Sequence, residues 1–329
     1  MIKGNLGANE LLFMTEPIDK WINASIGSSA RVFQGVWKQD EETSKIVAVK
    51  IMRPDNLSYA LPLFQEEIKV LSLMSDVRGV IEMLAMGILE SQQPIRLPSD
   101  DVKDSARDVS GNITIFYPNE SNEMLHELDQ RIIDEKEHVL KPGGVSRWCP
   151  YLILQIRPHK ENLLFLCDPA YSGGKLLDWK DGLRIASQIC DILGVAHSRN
   201  IVYRDHKILH YYYSDFLSQV FVVDWNVAKF FPQGLSRSEI QFDLIQFSAR
   251  TLYYILTGRS ADTALGLGPT RPIDIANQPV SHIARWTYDD ERLPESVKSL
   301  LINALNGGFT SAASLKNSIL KILSQETGS

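Results

Sequence analysis

Two short apolar runs, Ile201-Val202 and Val220-Phe221-Val222-Val223, are each followed closely by an aspartate, and this pair constrains the chain more than any other stretch. The second run has no polar member and reads as a strand buried on both faces. The first gives way to a loop at Tyr203-Arg204-Asp205. Asp205 and Asp224 lie nineteen positions apart, and Lys207 follows the first of them by two. Phosphoryl transfer needs such a set. One carboxylate accepts a hydroxyl proton, a second holds a metal on the phosphates, and an ammonium offsets charge on the moving group.

The stretch Tyr203-Arg204-Asp205-His206-Lys207-Ile208-Leu209-His210 resembles the catalytic loop H-R-D-L-K-x-x-N of Hanks-type (eukaryotic-like) Ser/Thr protein kinases, and Asp224-Trp225-Asn226 resembles their D-F-G. Arg204, Asp205, Lys207 and Asp224 match. Tyr203 stands in place of His, His210 in place of Asn, and Trp225-Asn226 in place of Phe-Gly. The resemblance implies an α+β fold of two lobes: a small antiparallel β lobe with one helix, and a larger, mostly helical lobe. It divides the chain into 1–156, with a family-atypical insertion at about 91–149, and 157–329, which carries the catalytic loop. It also implies ATP and Mg²⁺ as cofactors, Asp205 as the catalytic base, Lys207 near the γ-phosphate and Asp224 on the metal.

Upstream, Trp21 to Lys38 alternates apolar residues around a small-residue turn, the pattern of a hairpin. The resemblance makes this turn the phosphate loop G-x-G-x-x-G-x-V, with Ser25, Gly27 and Ala30 at the glycine positions and Val32 as the valine. Gly27, Ser28, Ala30 and Val32 would then line the nucleotide; the alternative is an ordinary hairpin turn. Val47-Ala48-Val49-Lys50 matches V-A-I-K, so Ala48 would contact the nucleotide and Lys50 its α- and β-phosphates. Without the resemblance, Lys50 is a strand-end lysine that snorkels to water. Leu63 to Leu71 has a helical pattern with Phe64, Ile68 and Leu71 on one face. Glu67 on that helix matches the glutamate that pairs with the lysine; Glu66 points about 100° away.

Val80 to Leu89 reads as a strand, and the chain then turns polar from Ser91 to Arg147. Within that insertion, Asn112–Tyr117 is expected as a strand and Glu120–Val139 as a helix striped by Met124, Leu125, Leu128, Ile132 and Ile133. It either packs on the first lobe or offers a docking surface to a protein partner. Tyr151 to Pro158 reads as a strand entering a bend, which the resemblance makes the interlobe hinge. Gln155 and Arg157 would offer backbone groups to adenine, with Leu154 behind it. Asp181–Ser198 is the strongest helical pattern in the chain, with Asp181 as its expected N-cap. Asp243 opens a segment resembling the family's buried central helix. It would hold the catalytic loop's amides, or serve as an ordinary N-cap. Two closing helices are expected between Leu293 and Leu323.

Only eighteen residues separate Asp224 from Asp243, and no A-P-E motif is present. Family members need about twice that length for a peptide-binding ledge. Arg204, which in the family reads a loop phosphate, is expected to pair with Glu239 instead. At position 210 the family's Asn supplies an oxygen to a second metal. Mg²⁺ prefers oxygen, whereas imidazole suits Mn²⁺ or Zn²⁺; otherwise His210 packs beside Tyr211-Tyr212-Tyr213 with no metal at all. If that contact is lost, about 3 kcal/mol of charge stabilisation goes with it, roughly a hundredfold in rate.

Three functions follow as expectations. The first is a divergent, slow ATP-dependent phosphotransferase of the protein-kinase type, using Mg²⁺ or Mn²⁺. The second is a pseudokinase that regulates a partner. The third is a small-molecule phosphotransferase, which also needs no peptide ledge. The formal charge of −6 argues against a nucleic-acid partner bound through phosphate neutralisation. The opening residues MIKGNLGANELLF lack a signal pattern and no run approaches eighteen apolar residues, so the expectation is a cytoplasmic protein without a membrane partner. Cys149, Cys167 and Cys190 are odd in number and lack C-x-x-C spacing, so neither a disulfide framework nor a zinc site is expected from them.

Overall fold

The computed structural model describes residues 2–5, 11–18, 29–38, 43–92, 95, 110–139, 146–259 and 291–325. They form two compact units, Met1–Ser75 with Ile81–Ile156, and Asp76–Val80 with Arg157–Ser329. The architecture is mixed α and β.

Unit 1 is built on a five-stranded antiparallel sheet in the order β3 (Ala30–Lys38), β4 (Ser44–Met52), β7 (Trp148–Gln155), β5 (Met83–Glu90), β6 (Ser110–Phe116). A hairpin of β1 (Ile2–Asn5) and β2 (Leu11–Pro17) extends it beside β3, and β1 pairs in parallel with β6, closing the sheet into a barrel. That parallel pair departs from the purely antiparallel expectation. In β3 Phe33 and Trp37 point inward, and every second residue from Val32 to Val36 is only half-buried, as period 2 requires. From Val47 onward every residue of β4 is buried, because helix α1 (Leu57–Leu73) packs against this strand. Gly87 in β5 permits the tightest approach: a Cβ there would meet the Thr114 carbonyl at 1.9 Å and the Tyr151 hydroxyl at 2.6 Å.

The insertion belongs to this unit. β6 pairs with β5, and helix α2 (Ser121–Val139) rests on α1 and β5 through the fully buried Met124 and Leu128. Arg131 bonds Glu90 and Glu127, and the Gln65 amide donates to Asp129 at 2.8 Å. Ile133, expected in the buried stripe, is 68% exposed, since it lies past the turn that touches the sheet.

Unit 2 is organised on helix α4 (Trp179–Ser198), whose Leu183, Ile185, Ile189, Ile192 and Leu193 are buried. Its N-cap is Asp178, which accepts from the Lys180 amide, and not Asp181. The helix starts two residues early because Trp179 and Lys180 can complete the first turn, leaving Asp181 to pair with Arg184. Around α4 lie the short helix α3 (Leu163–Cys167), the ribbons β8 (Ile201–Val202) with β11 (Lys229–Phe230) and β9 (Tyr211–Ser214) with β10 (Gln219–Val222), and the helices α5 (Arg237–Phe247), α6 (Tyr253–Thr257), α7 (Glu295–Leu305) and α8 (Ala312–Gln325). A π-helical turn, Ser248–Leu252, joins α5 to α6. The strand expected from Val80 begins only at Met83. Val80 itself bridges Val222 inside unit 2, and the Val222 amide donates to the Gly79 carbonyl at 2.7 Å. Among the described residues no helix is long and apolar enough to cross a membrane.

Candidate functional site

In unit 2 the two aspartates are delivered by loops that hydrogen bonds stitch together. The chain leaves β8 at the buried Tyr203, passes Arg204 and Asp205, and tightens into a 3-10 turn at Ile208–His210. The Tyr203 hydroxyl donates to the Val223 carbonyl at 2.6 Å, and the Val223 amide donates to the His210 carbonyl at 3.0 Å. Residue 224 is thereby fixed against residues 205 and 210. Trp225, wholly buried, meets the Tyr203 ring edge-on at 4.8 Å and donates its indole N–H to the Val222 carbonyl. Asn162, also buried, donates to the Leu209 carbonyl at 2.7 Å and holds the 3-10 turn from the other side.

Arg204 and Asp224 both have positive φ, +70° and +57°. Such conformations in non-glycine residues cost about 1–3 kcal/mol each and persist where the surroundings enforce them, most often at functional sites. The enforcing group for the first loop is Asp243. Its carboxylate accepts from the Arg204 amide at 2.8 Å and the Tyr203 amide at 3.4 Å. It also accepts from two buried imidazoles, His206 Nε2 at 3.0 Å and His197 Nε2 at 2.9 Å. A carboxylate only accepts, so each of these nitrogens carries hydrogen; the far nitrogen of His206 faces the Tyr211 hydroxyl at 2.7 Å. Burial opposes ionisation of Asp243, but the coulombic attraction of His206 and the hydrogen bonds of His197 and His206 outweigh it, and its carboxyl lies well below the usual range.

The N-cap alternative for Asp243 therefore fails. Helix α5 begins six residues earlier, capped by Ser236, whose hydroxyl accepts from the Glu239 amide while Glu239 returns the bond. The same capping box engages Glu239, and no ion pair with Arg204 forms among the described residues.

Asp205, Lys207, His210 and Asp224 converge. Lys207 Nζ donates to Asp205 Oδ2 at 2.8 Å. His210 Nδ1 lies 3.0 Å from the Asp205 carbonyl, and its Nε2 lies 3.3 Å from Asp224 Oδ2. One ligand atom from each of Asp205, His210 and Asp224 lies within 4.8 Å of the others. Asp205 and His210 are buried, and Asp224 is half-buried. Two carboxylates and an imidazole can hold a divalent cation. The nitrogen donor fits Mn²⁺ or Zn²⁺ and is a poor substitute for oxygen around Mg²⁺.

In unit 1 the structure brings together Lys50 and Glu67. The ammonium lies 2.8 Å from each carboxylate oxygen, with the two side chains 4% and 1% exposed. A buried ion pair contributes little net stability, because desolvating both charges offsets their attraction. Val32 lies directly across the ribbon from Lys50, Leu154 lies across from Ala48, and Ala30 is buried opposite Met52. The Gln155 amide donates to the Glu82 carbonyl at 2.9 Å. Arg157 falls in unit 2, where its guanidinium stacks 4.0 Å from the Phe221 ring and pairs with Glu161. Gly27 and Ser28, with Ser25, lie outside the described residues.

The motif reading overlooked His206, His197 and Tyr211. The signal for His206 was present: a histidine occupies the position where H-R-D-L-K carries leucine. Comparison of the chain with protein-family models and with curated proteins finds no match.

Proposed function

We propose that the chain is an ATP-dependent phosphotransferase of the protein-kinase type, built as a two-lobed kinase-like fold. The observation that carries this reading is the convergence of Asp205, Lys207, His210 and Asp224 on loops anchored by Asp243. Asp205 serves as the proton acceptor that orients the attacking hydroxyl. Lys207 offsets charge on the transferred group, and Asp224 holds the metal. Lys50, kept in place by Glu67, serves the α- and β-phosphates, which gives the buried pair in unit 1 a purpose other than stability. A divalent metal, when bound, supplies neutralisation of phosphate charge. The chain from Asp224 to α5 holds only the two-residue β11 and two turns, so the acceptor need not be an extended peptide.

The bond from the Lys207 ammonium to Asp205 Oδ2 favours a second reading, a nucleotide-binding regulator without transfer, because it occupies an oxygen that would otherwise face the attacking hydroxyl. One experiment separates the two. With millimolar ATP and Mn²⁺ or Mg²⁺, Tm rises, since a ligand that binds only the native state stabilises it by mass action, by about 2.7 kcal/mol at a hundred times Kd. Under the phosphotransfer reading, radiolabelled phosphate also moves to protein or small-molecule acceptors. Asp205→Asn lowers that transfer by about 10²–10⁴-fold and keeps the Tm rise. A Tm rise without transfer supports the regulator, and no Tm rise with either metal overturns both.

A further inference from the structure

We propose that the chain pairs with a second copy of itself through a groove beside α4, each copy seating the Asp215-Phe216 tip of its β9–β10 hairpin in the groove of the other. The proposal uses no residue of the phosphotransfer reading and stands apart from it.

The groove lies wholly within unit 2. Gln188, Ile192, Val195 and Arg199 follow one another along α4 at steps of three or four residues and so share one face. With Asp76–Arg78 and Ser218–Val220 they line a cavity of about 510 Å³. Hydrogen bonds pin its walls. The Arg199 guanidinium bonds both oxygens of Asp76, and Arg78 Nε donates to Gln219 Oε1 at 2.8 Å. The Gln188 side chain donates to the Ser218 carbonyl at 3.3 Å and accepts from the Val220 amide at 3.0 Å. The shape is therefore set before anything enters. Ile192 and Val220 are buried and give the groove an apolar base. Its acids are already offset, Asp76 by Arg199 and Asp191 by Lys316. The guanidinium of Arg78 is exposed and bonds a neutral amide, and among the described residues no carboxylate pairs with it. An apolar base beside one cation without an acid suits an apolar group that carries an anion.

The hairpin presents such a group. Its turn is Asp215-Phe216-Leu217-Ser218, between β9 and β10. Turns ordinarily collect Gly, Asn, Asp and Ser. Here Phe216 is 94% exposed, more than any other large apolar side chain among the described residues, and Leu217 next to it is 42% exposed. Asp215 is exposed too, and among the described residues no cation pairs with it. The Ser218 amide donates to the Asp215 carbonyl at 3.2 Å, which closes the turn and leaves Phe216 outside its own groove. The tip ends where the groove begins, since Ser218, Gln219 and Val220 line the cavity. A single patch that holds both halves of a contact closes on itself about a two-fold axis, with each copy giving and receiving. Phe216 of one copy then covers Ile192 and Val220 of the other, and Asp215 meets Arg78. One tip and one groove per copy bury less than about 1,200 Å², the class of weak and reversible contacts.

Sedimentation velocity on the full chain tests this. Between about 5 and 500 µM it should show a reversible monomer–dimer equilibrium, as a contact of that size predicts. Phe216→Asp should weaken it by at least about a hundredfold, because it removes a central aromatic anchor from both halves. Arg78→Glu and Asp215→Arg each set like charges against one another across the interface, and each should weaken it by at least about tenfold. An equimolar mixture of those two variants should associate as the wild type does, because every contact in the mixed dimer joins opposite charges. Circular dichroism checks that each variant folds, and Phe216→Asp, at an exposed turn, tests the contact independently of Arg78. A chain that stays monomeric throughout, a dimer that survives Phe216→Asp, or a mixture that associates no better than its separate components overturns the proposal. The first of these outcomes assigns the groove to an occupant other than this chain.

Discussion

Asp243 shows how much one side chain can organise. Its two oxygens serve two backbone amides and two imidazoles, so a single buried carboxylate fixes the loop that presents Asp205. Replacing it with asparagine leaves the imidazole N–H groups short of an anion. We expect Asp243→Asn to cost about 3–5 kcal/mol in urea unfolding, the range for breaking a buried charged pair. The pH dependence has a definite sign. The folded carboxyl titrates below its unfolded value, so its stabilisation is complete above about pH 4, the ordinary carboxylate range, and is lost as pH falls below it. Wild-type Tm should drop between pH 4 and pH 2 more steeply than that of Asp243→Asn, and parallel curves would contradict this account. The motif pointed to Asp243 but left two roles open. It could not separate them because capping and amide-holding use the same chemistry, and only the position of Ser236 seven residues before it decides.

Among the elements, β5 and α4 carry opposite uses of glycine. Gly87 lies where β5, β6 and β7 press together, and the obstacles to a side chain include the Thr114 backbone carbonyl, which cannot swing away. Gly87→Ala should destabilise by about 1–3 kcal/mol through overpacking. Gly194, inside α4, has only the Ala312 Cβ at 3.8 Å from an added methyl, which is ordinary contact. Gly194→Ala should instead stabilise by about 0.5–1 kcal/mol, because alanine loses less conformational entropy in a helix. Urea midpoints of the two variants should move in opposite directions. Periodicity found α1, α2, α4, β4, β7 and the closing helices, because each buries a regular stripe or run. It misplaced the start of β5. Val80 and Ile81 are as apolar as the strand that follows, but Gly79 at φ +91° turns the chain so that Val80 bridges Val222 instead. A hydropathy pattern carries no information about which partner a buried valine meets.

Across the whole molecule the three cysteines report on integrity. Cys149, Cys167 and Cys190 are free and buried in different elements. Burial pushes every thiol up, Cys167 to about 12 with help from Asp168 nearby. The thiolate is the reactive form, so none should react with Ellman's reagent in the folded state, and all three should react after denaturation. A fast phase of one equivalent in native buffer would show that a unit opens locally.

The sequence by itself determined the strands that lead toward Asp205 and Asp224 and the helix that stripes the insertion. These are local facts, set by side-chain period and by residue order near a strand end. Tertiary structure alone decided that Lys50 meets Glu67, that His197 and His206 share Asp243, and that the insertion completes a barrel with β1. Each of those depends on groups far apart along the chain being brought within about 3 Å, the range in which hydrogen-bond direction has meaning, and linear order does not encode that distance.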